Sequence, residues 1–208
     1  MTFTKKLLYQ LGVSTLIVFS LAGAISHSVM TGKPFMLIFE SRYHWTVQVF
    51  IGAVYGWCAA YSALWLIRRD FMTPVRTFFT DLFMQFKMTQ RDIIFISFCA
   101  GVGEEIAFRG GMQPSFGILF TSLLFVSLHG YLNPFNWRLS VYGLFMCVII
   151  LGIGVIKEMV GLTGCISAHF VIDWYLLTEL TRGKKGSNDT GKIENDAASS
   201  NTNSSAMQ

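Results

Sequence analysis

The sequence predicts an all-α, polytopic membrane protein of about six transmembrane helices, with one amphipathic helix on the cytoplasmic surface. Three observations predict it. Of the 208 residues, 52% are hydrophobic and 13% charged, with a mean hydropathy of +0.50; a soluble domain carries about twice that charged share. The apolar residues gather in six runs, each near the ~20 residues that cross a bilayer core. Basic residues alternate between the two sides of those runs, as cytoplasmic and external loops do.

The six runs are residues 7–25, 45–67, 92–112, 115–131, 139–156 and 162–180. On one side lie Lys5 and Lys6, then Arg68, Arg69, Arg76, Lys87 and Arg91, then Arg138, then Arg182, Lys184, Lys185 and Lys192; together they make 12 of the 16 basic residues. Lys33, Arg42 and Lys157 lie on the other side, and Arg109 falls inside the third run. An excess of Lys and Arg marks the cytoplasmic side, so both termini are expected there, in a plasma membrane such as the bacterial inner membrane. Lys5-Lys6, the first run and Ala22-Gly23-Ala24 also resemble a cleavable signal peptide, but the apolar run is longer than a signal core and favours an uncleaved helix.

Between the second and third runs, Phe71, Val75, Phe78, Leu82 and Phe86 recur at helical spacing after Thr73-Pro74, a cap followed by proline in the first turn. This predicts the amphipathic helix at the cytoplasmic interface. Residues 1–182 read as one membrane domain, with its motif-bearing core at 92–180. Residues 183–208, rich in Ser, Asn, Asp, Lys and Gly, read as a disordered tail. Cys58, Cys99, Cys147 and Cys165 all fall in apolar runs without a CxxC pair and read as packing residues. Basic-aromatic patterning suited to nucleic acid is lacking, and oligomeric state is not legible.

The chemistry concentrates in GVGEEIAFRGG, residues 101–111. Glu104, Glu105 and Arg109 on the third run, His129 on the fourth, and His169 and Asp173 on the sixth are ionisable groups at membrane depth. Each costs ~2.5–3.5 kcal/mol at a helix centre, so a shared polar cavity is the arrangement that tolerates them all. Glu105 and Arg109 are four apart and face each other along a helix, as do His169 and Asp173, while Glu104 turns ~100° from Glu105. Gly101 and Gly103 allow another backbone or a substrate to approach. Counting along straight helices puts Glu104 and His169 at similar depth and His129 nearer the cytoplasm. His27 and His44, near helix ends on the external side, read as interfacial residues.

Glu104-Glu105-x-x-x-Arg109, Phe125-x-x-x-His129 and His169-x-x-x-Asp173 resemble, in order and on successive helices, the motifs of the CPBP intramembrane proteases, also called Abi or CAAX-protease-like. The resemblance implies hydrolysis of a peptide bond by a glutamate-activated water. Glu104 and His129 would bind and deprotonate the water, Arg109 would hold Glu105, and His169 with Asp173 would face the oxyanion. Phe108 and Phe125 are expected beside the substrate, a peptide or membrane-protein segment. Family CAAX endopeptidases carry Asn where this chain has Asp173; an ionised Asp cannot donate to an oxyanion, so Asp173 is expected to orient His169 or to be protonated itself. No cofactor is expected. Two other classes use the same residues: a zinc protease, since two His and a Glu suit zinc although HExxH is lacking, and a non-catalytic regulator, immunity factor or proton-coupled carrier.

Overall fold

All regular structure in residues 4–182, the part that this computed structural model describes, is helical. The expected tail, 183–208, lies outside the described residues. Helix α1 (Lys5–Thr31) starts at Thr4, whose hydroxyl accepts the Leu7 N–H, and stops at Gly32 in the left-handed conformation. Most of its long apolar side chains, Ile17, Val18, Leu21, Ile25 and Val29 among them, point outward. An apolar face that water would penalise is what a lipid environment requires.

After a 3₁₀ turn (Phe35–Phe39), α2 (Trp45–Ile67) begins at His44, whose ring accepts the Thr46 N–H. A second 3₁₀ turn (Asp70–Met72) leads into α3 (Thr73–Met84), with its proline in the first turn as expected. The buried face of this segment is Met72, Val75 and Phe79, whereas Phe78 is 57% exposed. Of the expected stripe, Val75 is buried in the protein, while Phe71 and Phe78 are exposed, so the protein-facing side of α3 is a different one. The tertiary partner selects Phe79, which packs edge-on against Tyr131 and joins the main core.

Helix α4 (Gln90–Glu105) opens on a capping box in which Thr89 and Asp92 bond each other's backbone. Asp92 is 2% exposed and also accepts from Lys5 Nζ and Tyr9 Oη, both at 2.7 Å, which fastens α4 to α1. A π-helix follows (Ile106–Met112), then α5 (Gln113–Leu128), α6 (Trp137–Met159) and a last helix, α7, over residues 162–182.

Among the described residues, four helices are long and apolar enough to cross a membrane: α1, α2, the continuous run Gln90–Leu128, and α6. The chain is an integral membrane protein. The separation expected between residues 112 and 115 is not where the helix breaks. Pro114 sits in the first turn of α5, where helix geometry tolerates it, and the break comes at Gly117, with φ 76° and ψ 169°. Only glycine adopts that backbone readily. The main core joins α2, α3, the π-helix, α5, α6 and α7. Cys99, Cys147 and Cys165 are buried in the protein and Cys58 is exposed; all four are free thiols.

Candidate active site

Glu104 and Glu105 end α4, and the α-helical turn sends them in different directions. Glu105 has no exposed side-chain surface, while the Glu104 side chain keeps 13%. Two close approaches set the position of this turn. A Cβ on Gly103 would lie 2.7 Å from the Thr15 carbonyl oxygen of α1, and one on Gly101 would lie 3.1 Å from the Phe170 nitrogen of α7. Both glycines thus admit a neighbouring backbone rather than a ligand.

Glu105 is the hub of the buried polar network. Its Oε1 lies 2.7 Å from His169 Nδ1 and its Oε2 lies 3.3 Å from Arg109 Nε. The second contact is poorly aligned, since neither atom has a hydrogen bond that meets angular criteria, and its attraction is chiefly Coulombic. Arg109 is fully buried, donates from Nη2 to the Ile150 carbonyl at 3.4 Å, and lies with its guanidinium 5.0 Å from the Phe125 ring centroid. The expected Glu105–Arg109 pair is present; the link from Glu105 to His169, 64 residues away, had no sequence signal.

His169 Nε2 faces two other carboxylates, Asp173 Oδ2 at 3.4 Å and Glu104 Oε2 at 3.9 Å. His129 Nδ1 donates to the Phe125 carbonyl at 2.8 Å, as the i, i−4 spacing allows, and its Nε2 stands 3.5 Å from Glu104 Oε2. Straight-helix counting had set His129 at a different depth from Glu104. The Gly117 break removes the straight-helix premise, and the two side chains meet.

Phe125 is the rigid wall behind both imidazoles. It stacks on His129 at 4.3 Å and meets His169 edge-on at 5.7 Å. Phe108 is 4% exposed, packs between Phe19 and Phe125, and is not among the residues that line the cavity.

These groups open onto a cavity of about 210 Å³ whose wall includes Glu104, Phe125, His129, His169 and Asp173. The rest of the wall is apolar or aromatic: Phe79 and Phe83 from α3, Tyr131, Tyr142, Met146 and Ile150 from the α5–α6 connection and α6, and Leu176, Leu177 and Leu180 from α7. Sequence reasoning missed the two tyrosines and the α3 phenylalanines. The nearest signal was the amphipathic pattern of α3, whose buried face proves to be a cavity wall.

Residues 89–175 match a family model described as Rce1-like, type II CAAX prenyl endopeptidase Rce1-like. The match is to the CPBP, or CAAX-protease-like, family. No curated protein and no solved structure matches the chain. The family is one of proteases, and the CPBP segment carries all six ionisable residues of the cluster while excluding α1, α2 and α3. Among the described residues, no three His, Cys, Asp or Glu side chains are grouped so as to hold a metal ion.

His27, expected at the interface, is 6% exposed and bonds the π-helix. Its Nδ1 faces the Gly110 carbonyl of the π-helix at 3.0 Å, while its Nε2 is buried without a hydrogen-bond partner among the described residues. His44 is exposed at the start of α2.

Proposed function

We propose that the chain is an intramembrane endopeptidase that hydrolyses a peptide bond of a membrane-associated or lipidated peptide or protein, using a water activated by Glu104 and His129. The observation that carries this reading is the setting of Glu104 Oε2. It is buried, makes no hydrogen bond among the described residues, and faces two imidazole nitrogens at 3.5 and 3.9 Å on a cavity wall. Such distances exceed a direct hydrogen bond and suit groups that share a water.

The chemistry follows from donors and acceptors. The proton on His129 Nδ1 is committed to the Phe125 carbonyl, so Nε2 presents its lone pair. A water donating one proton to that nitrogen and the other to Glu104 turns its own lone pair toward a substrate carbonyl. On attack, oxygen bonds the acyl carbon and a proton passes to Glu104. His169, anchored through Nδ1 to Glu105, offers Nε2–H to the developing oxyanion. Collapse of the intermediate breaks the C–N bond, and Glu104 returns the proton to the leaving amine. Asp173 orients the His169 ring, and Arg109 holds Glu105; both are positioning residues.

The apolar remainder of the wall suits an aliphatic or lipid-bearing segment next to the scissile bond. Six membrane crossings with both termini in the cytoplasm, in a bacterial inner membrane, complete the proposal. The proposed reaction is metal-free, with Glu104 and His129 rather than a metal ion activating the water.

The test compares membrane proteomes of cells carrying the native chain and Glu104→Gln, followed by peptide cleavage with the purified proteins. An accumulated precursor and loss of cleavage with unchanged membrane insertion are expected. Turnover by Glu104→Gln at the native rate would remove Glu104 from the chemistry.

A further inference from the structure

We infer that His27 of α1, outside the matched segment, is a positioning residue that clamps the π-helix and thereby sets the Glu105–Arg109–His169 network. In an α-helical ladder the Gly110 carbonyl would accept from the N–H of residue 114, four positions on. That residue is Pro114, which has none. His27 Nδ1 lies 3.0 Å from the Gly110 oxygen, with both residues buried. A carbonyl only accepts, so Nδ1 carries the proton and the tautomer is assigned. Ser26 Oγ adds a weaker contact to the next carbonyl, Gly111, at 3.5 Å.

The backbone geometry supports the same clamp. A Cβ on Gly23, one turn before His27, would lie 2.5 Å from the Ile106 carbonyl oxygen, and a Cβ on Gly111 would lie 2.8 Å from Gly23 Cα. The two helices therefore touch backbone to backbone where the π-helix runs. Polar side chains on a neighbouring helix are what make a proline or a π-turn tolerable in an apolar setting.

Register is the functional link. A π-turn holds about one more residue than an α-turn, so its loss would rotate everything beyond it by ~100° relative to Glu104 and Glu105. Arg109 precedes Gly110 directly, and its side chain meets Glu105 Oε2 at 3.3 Å. Glu105 in turn holds His169 at 2.7 Å. A side-chain donor on α1 thus fixes the turn on which the oxyanion-facing imidazole depends.

The catalytic part of this inference rests on the peptidase reading, so the experiment has a readout besides activity. The full chain is purified as His27→Leu, His27→Asn and His27→Gln, and amide exchange is followed for peptides covering residues 106–116 beside steady-state cleavage. The Asn amide nitrogen occupies the place of Nδ1, whereas that of Gln sits one bond further out.

His27→Leu is expected to speed exchange in those peptides and not in α2 or α6, and to lower kcat about tenfold, the equivalent of about 1.4 kcal/mol, with KM little changed. His27→Asn restores both and His27→Gln restores neither. Unchanged exchange in His27→Leu, or equal damage from Asn and Gln, overturns the clamp; raised exchange with native kcat overturns its link to catalysis. If the unaltered chain cleaves nothing, the peptidase reading falls and the exchange contrast still decides the clamp. If His27→Leu does not fold, the Asn–Gln contrast decides it.

Discussion

Replacing Arg109 with Met isolates the electrostatics of the buried network. Arg109 and Glu105 have no exposed side-chain surface, and their nearest atoms are 3.3 Å apart. For charge centres about 4 Å apart and an effective dielectric of about 20, the attraction is about 4 kcal/mol. Breaking a buried pair from one side costs about 3–5 kcal/mol, because the remaining charge is stranded. His169 stays on Glu105 Oε1, so Arg109→Met falls at the lower end, about 3 kcal/mol. Glu105→Gln strands Arg109 against the Ile150 carbonyl and the Phe125 ring, at a similar cost. The double variant removes both charges and is expected to cost less than the sum of the singles by about 2 kcal/mol. Denaturation in mixed detergent micelles, followed by tryptophan fluorescence, measures the cycle. Additivity within about 0.5 kcal/mol would refute the coupling.

Three further outcomes follow from the site. Asp173→Asn keeps the side chain's size and adds an N–H donor, so cleavage should stay within about tenfold of native, while Asp173→Ala should lose more by freeing the His169 ring; initial rates on one peptide give the order, and the reverse order would show that the negative charge itself is required. Phe125→Leu removes the stack on His129 at 4.3 Å and should lower kcat about tenfold or more with the protein still folded, as checked by gel filtration. Chelators should leave the rate of the purified protein unchanged; a loss that zinc restores would replace the metal-free mechanism.

Much of the site was legible because charge in an apolar run is costly. Glu104, His129, His169 and Asp173 stood out by chemistry and spacing alone, and all four lie on one cavity wall. What local spacing could not carry is long-range or depends on helix register. The bond from Glu105 to His169 depends on how α4 packs on α7 at Gly101. The π-helix is invisible because IAFRGGM has no pattern that separates an i, i+5 ladder from an i, i+4 one. Phe78 and Phe79 are adjacent phenylalanines, so only the partner surface decides which is buried. Phe108 followed the same rule: an aromatic close to the two glutamates faces the core as readily as the cavity.

The placement of α1 explains why the matched segment is not the whole scaffold. Lys5 and Tyr9 hold Asp92 at the start of α4, Thr15 lies against Gly103 near its end, and His27 holds Gly110 near the end of the π-helix. Contacts that advance together along both chains mean the two helices run parallel, as odd-numbered crossings of the proposed topology do. Such a pairing grips the glutamate-bearing helix on either side of Glu104 and Glu105. The α-to-π transition lies between those grips, so a change of register would have to break at least one of them. Adjacent glutamates can then hold different jobs, with Glu105 locked into the interior and Glu104 left facing the cavity, because the helix that carries them is restrained from rolling.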